Sequence, residues 1–161
     1  MIEAYIGLGS NLDNPAEQIR LARSAIAKQL HITEVAFSSL YASLPMGPQD
    51  QPDYVNAVMH ISTDLDALDL LSVLQKIEHD FGRVRKAERW GARTLDLDLL
   101  LYADQQIAHP DLIVPHVGLA EREFVLYPLQ EIAPDDLVIP GKGVLKQLVA
   151  QCPLNGLEKI A

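Results

Sequence analysis

Tyr54-Val55-Asn56-Ala57-Val58-Met59-His60-Ile61-Ser62-Thr63 carries a period of two. Successive strand residues point to opposite sides, so Tyr54, Asn56, Val58 and His60 share one face and Val55, Ala57, Met59 and Ile61 the other. Downstream the period changes. Leu70, Leu71, Leu74, Ile77 and Phe81 recur at three- and four-residue intervals, which predicts a helix ending at Gly82. Beyond it Thr94 to Tyr102 begins with strict alternation again and reads as a strand. Upstream, Glu3 to Leu8 reads as a strand and Gly9-Ser10-Asn11 as a tight turn. Asn14-Pro15-Ala16-Glu17 supplies an N-cap, an N1 proline and an N3 glutamate, and Ile19, Ala22, Ile26 and Leu30 follow at helical spacing. Ile32 to Tyr41 is strand-like, and the Pro/Gly-rich Ser43 to Pro52 predicts a long loop before Tyr54.

Strand, helix, strand, strand, helix, strand predicts an α+β fold of ferredoxin-like βαββαβ order, an antiparallel sheet with helices on one face. A small C-terminal extension follows: an extended Leu112 to Pro115, a helix over Glu121 to Ile132 stopped by Pro134, and a short helix over Val144 to Gln151. With 161 residues and neither repeat nor linker, residues 1–161 are expected to form a single domain. Apolar residues at 48% and charged ones at 22% suit a globular chain, and the longest apolar run, Leu99 to Ala103, is too short to span a bilayer. Met1-Ile2-Glu3-Ala4-Tyr5-Ile6 lacks a basic region followed by an apolar one, so a cytoplasmic protein is expected. The lone Cys152 permits no internal disulfide. No exposed apolar repeat calls for a partner subunit, and a monomer is expected.

A net charge of −9 argues against nucleic acid as a partner. The cations are unevenly placed, with Arg83, Arg85, Lys86, Arg89 and Arg93 inside eleven residues, which points to an anion site. Immediately after them, Thr94-Leu95-Asp96-Leu97-Asp98-Leu99 puts its leucines on one face and both aspartates on the other. Their Cα atoms should lie roughly 7 Å apart, a spacing from which carboxylates hold two Mg²⁺ ions about 4 Å apart. Oxygen-only ligands suit magnesium, which completes its shell with water and phosphate oxygens. Arginines beside paired carboxylates are the two halves of an electrostatic site for phosphoryl transfer. Gly7-Leu8-Gly9-Ser10-Asn11 matches neither the dinucleotide-binding nor the P-loop pattern. Trp90, the only tryptophan, sits within the basic stretch and could close over a planar ring.

The seventeen residues from Gly82 to Asp98, GRVRKAERWGARTLDLD, closely resemble the signature of the hydroxymethyldihydropterin pyrophosphokinases. So does Gly47-Pro48-Gln49-Asp50-Gln51-Pro52-Asp53-Tyr54-Val55-Asn56-Ala57. Gly9-Ser10-Asn11-Leu12, Val114-Pro115-His116, Arg122 and Glu131-Ile132-Ala133-Pro134 occur in the order that family has. The resemblance implies transfer of diphosphate from ATP, the co-substrate, to the hydroxymethyl group of 6-hydroxymethyl-7,8-dihydropterin in folate biosynthesis. It implies two Mg²⁺ ions on Asp96 and Asp98, and Arg83 and Arg93 as charge-stabilising groups in a mobile catalytic loop. It places Ser43, Leu44, Pro45, Met46, Tyr54, Asn56, Trp90, Asp96 and Phe124 around the pterin. Gln75, Glu78, Arg85, Trp90, Arg93, Leu99, His116 and Arg122 are implied around the nucleotide. The implied mechanism is direct in-line attack on the β-phosphorus with AMP leaving, ATP binding first and both loops closing. The chain departs from the family pattern at Asp111, where arginine is frequent, at Val117-Gly118, and at Ser43 and Leu44. Two rival classes share parts of this pattern: a nucleotide or pterin sensor without turnover, and an Asp-x-Asp nucleotide-sugar transferase.

Overall fold

The computed structural model describes residues 1–11, 14–43, 54–82 and 95–161. Its main sheet is built on β1 (Ile2–Ser10), with β4 (Tyr54–Thr63) on one side and β5 (Asp96–Tyr102) on the other, both antiparallel to it. β2 (Ile32–Phe37) and β3 (Tyr41–Ser43) pair successive parts of the far edge of β4, and a two-residue β10 (Glu158–Lys159) pairs with β3. Helices α1 (Pro15–Ala27) and α2 (Ala67–Gly82) pack on one face, which gives the expected ferredoxin-like order.

Alternation along the strands accounts for that face. Ala4, Ile6 and Leu8 of β1, Val55, Ala57, Met59 and Ile61 of β4, and Leu97 and Leu99 of β5 meet Ile19, Ala22 and Ile26 of α1 and Leu70, Leu74 and Ile77 of α2. Each fully buried aliphatic side chain contributes roughly 1.5–3 kcal/mol. The period breaks once on β5, because the pairing with β1 slips between Tyr5 and Ile6 and leaves Leu100 as an extra residue. Leu100 and Leu101 therefore both reach the opposite face, and Tyr102 returns to the first.

The C-terminal extension covers part of that opposite face. A 3₁₀ turn (Leu119–Glu121) leads into α3 (Glu123–Ile132), and α4 (Leu145–Ala150) packs beside it. Leu126 and Leu129 of α3, with Leu145 and Val149 of α4, bury Tyr5, Val58, Leu100 and Leu101 in a second core, and Cys152 is buried there as a free thiol. Two hairpin-like pairs, β6 (Ile107–His109) with β7 (Leu112–Val114) and β8 (Val138–Ile139) with β9 (Gly143–Val144), complete the extension. Among the described residues no helix is long and apolar enough to cross a membrane.

Four expectations need correction. The strand expected over Ile32 to Tyr41 is divided, with β2 ending at Phe37 and β3 starting at Tyr41. The turn expected at Gly9-Ser10-Asn11 is not there: Gly9 and Ser10 continue β1, paired with Asn56 and Val55. Glycine inside a strand weakens it and often marks a place where a ligand or another backbone comes close. Asn14 stands at the N-cap in a left-handed conformation (φ 62°) and makes no side-chain cap bond, so α1 starts on its N1 proline. Leu30, expected on the apolar stripe of α1, lies beyond the end of the helix and is 80% exposed.

Candidate active site

Among the described residues, the face opposite α1 and α2 is covered in part, and the part they leave open is a trough. Gly7 and Gly9 have the same parity on β1 as the buried Tyr5, so they form the floor on that side. The ladder pairs Gly9 with Asp96 on one side and Asn56 on the other; two residues along it pairs Gly7 with Asp98 and Val58. Asp96 and Asn56 therefore face each other across one strand, about 10 Å apart at the backbone. The floor is free of side chains, and at Gly9 a side chain would crowd the site. A Cβ on Gly9 would stand 3.1 Å from Asn56 Oδ1, and one on Gly7 would stand 3.4 Å from a Leu100 methyl.

A cavity of about 150 Å³ occupies this trough, walled by Asp96 and Asp98, by Ser43, Tyr54 and Asn56, and by Arg122 and Phe124. Asn56 is buried, and its Nδ2 donates to Ser43 Oγ at 2.7 Å. Among the described residues this is the one hydrogen bond its side chain makes. A buried amide with donor and acceptor capacity left over costs about 1–3 kcal/mol per unmet group, and the cavity Asn56 lines is where water or another polar group can meet that capacity. The Arg122 guanidinium stands 5.7 Å from the Phe124 ring centroid and fills the space beside Gly118, where a Cβ would come within 2.3 Å of its Nε.

A second, shallower cleft of about 300 Å³ runs along the outer edge of β5, between Leu71 of α2 and the segment from Pro110 to Val117. His116 lines it, with Nε2 3.8 Å from Asp98 Oδ2. Gly118 donates its backbone N–H to His116 Nδ1 at 3.1 Å. That bond makes Nδ1 an acceptor and leaves the neutral ring's proton on Nε2, facing Asp98. Asp98, half-exposed, lines both the trough and the cleft. Asp96 and Asp98 offer only hard oxygen donors, and no cluster of three or more metal-ligating side chains exists among the described residues. That donor set fits Mg²⁺, which takes one or two carboxylates and draws its other ligands from water and phosphate.

The structure thus gathers Asp96, Asp98, Ser43, Tyr54, Asn56, Phe124 and Arg122 around one cavity, and Leu99, His116 and Asp98 around the other. Arg122, expected beside the nucleotide, lines the trough. Gln75 is exposed on α2 and borders neither cavity. Glu78 accepts the Leu97 N–H at 2.7 Å and so ties β5 to α2 beside the aspartates. Leu44, Pro45, Met46, Arg83, Arg85, Trp90 and Arg93 lie outside the described residues. Sequence reasoning missed Gly7, Gly9 and Gly118. Glycines at positions i and i+2 of a strand, flanked by apolar residues, were the available signal for the first two.

Residues 5–134 match the family model for 7,8-dihydro-6-hydroxymethylpterin-pyrophosphokinase. The chain belongs to that family. Over 125 residues it is 54% identical to the 2-amino-4-hydroxy-6-hydroxymethyldihydropteridine pyrophosphokinase of Haemophilus influenzae, covering 78% of each chain. The enzyme of the same name from Pseudomonas aeruginosa is 49% identical over 156 residues, covering 97% of this chain and 95% of that one. Among solved structures, Plasmodium falciparum HPPK-DHPS wild type with SDX-DHP superposes with a TM-score of 0.72 over 94% of this chain. At 14% identity that likeness carries the fold alone, and the chain spans 43% of the solved chain's length.

Proposed function

We propose that this HPPK-family chain transfers the β,γ-diphosphate of ATP to the hydroxymethyl oxygen of 6-hydroxymethyl-7,8-dihydropterin, a step of folate biosynthesis, in a reaction dependent on Mg²⁺. The observation that carries this reading is the position of Asp98 at the junction of two cavities, one suited to a flat polar ring and one to a nucleotide.

The trough takes the pterin. Tyr54 and Phe124 supply aromatic surface for a bicyclic ring, and the unspent polar capacity of Asn56 meets its donor and acceptor edge. The Ser43 contact holds that amide in one orientation before the ring arrives. The β5-edge cleft takes the nucleotide, with Leu71 and the half-exposed Ile113 and Val117 as apolar surface for the base. His116 then presents Nε2–H to phosphate oxygens beside Asp98.

In the transfer, the hydroxymethyl oxygen loses its proton to solvent and forms a bond to the β-phosphorus while the bond from that phosphorus to the α,β-bridging oxygen breaks. AMP leaves with the bridging oxygen. Asp96, in the same cross-strand row as Asn56, is the carboxylate on the pterin side and orients the attacking hydroxyl. Asp96 and Asp98 would hold the Mg²⁺, which when bound neutralises the triphosphate oxygens. Glu78, by fixing the Leu97 N–H between the two aspartates, keeps their strand from shifting as charge builds. Arg83, Arg85 and Arg93 enter as further stabilising cations on the strength of the signature and of their place just before β5 in the chain. The test is to incubate the chain with ATP, Mg²⁺ and the pterin alcohol and to separate the nucleotides. AMP should appear with one equivalent of pterin diphosphate and stop on chelation; ADP, or no new nucleotide, would refute the proposal.

A further inference from the structure

Glu131 sits in the last turn of α3, away from both cavities, and gathers an unusual set of donors. The Ser39 backbone N–H donates to its Oε1 at 2.7 Å and the Ser39 hydroxyl to its Oε2 at 2.6 Å. The Tyr41 hydroxyl adds a third bond to Oε1 at 3.1 Å, and Lys159 Nζ of β10 lies 3.8 Å from Oε2. Each charge-assisted bond is stronger than a neutral one, and here the carboxylate receives three. All bonded partners lie at the start of β3 or just before it.

Three facts connect this cluster to the trough. First, β3 is short: three residues pair with β4 and two with β10, so its own ladder holds it weakly. Second, Tyr41 and Ser43 share a face of β3, and Ser43 Oγ is the acceptor that orients Asn56. Third, Glu131 and Phe124 are seven residues apart, almost two full helical turns, so they lie on the same side of α3 about 10 Å apart. The helix that supplies the Phe124 wall is thus bolted, at its other end, to the strand that supplies the Ser43 wall.

We propose that Glu131 is a positioning residue for the trough: by fastening Ser39 and Tyr41 to α3, it sets the separation of the Ser43–Asn56 wall from the Phe124 wall and thereby the affinity for the ring bound between them. This rests on the assignment of the trough to the pterin. The nucleotide cleft, formed by β5, α2 and residues 110–117, shares no element with the clamp. Loss of the clamp therefore acts on one substrate and leaves the other alone.

The test compares Glu131→Ala with Glu131→Gln, assayed well below their melting temperatures. Glu131→Ala should raise KM for the pterin about tenfold with kcat and KM for ATP within about twofold, because it loosens ground-state binding on one side only. Glu131→Gln keeps an oxygen for the Ser39 N–H and should recover most of the loss. In ¹⁵N-labelled protein the Asn56 side-chain amide signal should shift in Glu131→Ala without any ligand present. An unmoved pterin KM, a parallel rise in both KM values, or an unshifted Asn56 signal would overturn the proposal. If the wild-type chain makes no AMP, the functional reading has failed, and the Asn56 signal still decides whether Glu131 positions the wall. Should Glu131→Ala fail to fold, Ser39→Ala, which removes the hydroxyl bond but keeps the backbone one, must shift the same signal.

Discussion

The two faces of the central sheet are made by the same strands and do opposite work. Toward α1 and α2, Ala4, Ile6 and Leu8 of β1, Val55, Ala57, Met59 and Ile61 of β4 and Leu97 and Leu99 of β5 are apolar and buried in one core. Toward the other side, the alternate residues of the same strands are Gly7 and Gly9, Asp96 and Asp98, and Asn56. Among the described residues that side is closed at one end, where Leu100, Leu101 and Val58 meet α3 and α4. Stability and chemistry are thus separated by a period of two, residue by residue, and substitutions on the two faces should report on different quantities.

The largest effect is expected at Asp98. Asp98→Ala should lower AMP formation about 10³-fold, since it removes charge stabilisation at the point where both cavities meet. Its carboxylate is half-exposed, so the melting temperature should stay within about 2 °C. Ile6→Ala, on the other face of β1, should do the reverse. It empties a fully buried site at a cost of about 2–5 kcal/mol, visible in denaturant melts, while AMP formation at low temperature holds within about threefold. If Ile6→Ala impaired turnover as severely as Asp98→Ala, the separation of the faces would be wrong.

A smaller effect is expected from the trough floor. Gly9→Ala places a methyl 3.1 Å from Asn56 Oδ1 and should raise KM for the pterin about tenfold with little change in stability, since the amide must give way by a few tenths of an ångström. Steady-state kinetics with each substrate varied in turn would measure it. The smallest effect is the pH dependence of the clamp on β3. Burial alone would raise the Glu131 carboxyl, but the Ser39 hydroxyl and amide, the Tyr41 hydroxyl and Lys159 outweigh it and hold the group below the usual carboxylate range. The stability it contributes is present above the ordinary value near ~4.3 and is lost as pH falls through the lowered one. Tyr41 is pushed up to about 12 by burial and by its bond to Glu131, so its contribution is intact below ~10 and is lost as pH rises from there toward 12. Glu131→Gln should flatten the acid limb of a melting-temperature profile, and Tyr41→Phe the alkaline one.

What the sequence made legible follows from periodicity. The alternation in Tyr54–Thr63 and in Leu95–Leu99 located the two strands flanking β1 and the common face of Asp96 and Asp98, and the spacing in α1 and α2 located the helices behind them. Glycine carries no such pattern. Gly7 and Gly9 fit no phosphate-binding loop pattern, and Gly9 before Ser10-Asn11 suggests a turn, whereas both glycines leave a wall absent in an unbroken strand. The two-residue strands β8, β9 and β10 are shorter than any period that could reveal them. The covering of the second face by α3 and the reach of Glu131 to Ser39 depend on contacts some ninety residues apart, which local spacing does not encode. That Asn56 and Ser43 neighbour the pterin is implied by the family resemblance and not by any pattern in the residues; the bond between them is visible only in the fold.

The central claim is that the two carboxylates on the open face of β5 seat cations where the trough and the cleft meet. Counting Mn²⁺ ions, in place of Mg²⁺, by electron paramagnetic resonance in the presence of α,β-methylene-ATP tests it directly, because the methylene bridge blocks cleavage. The account predicts two bound ions in the wild-type chain and loss of tight binding in the folded Asp96→Ala, Asp98→Ala double variant. Two tightly bound ions retained by that double variant would contradict it.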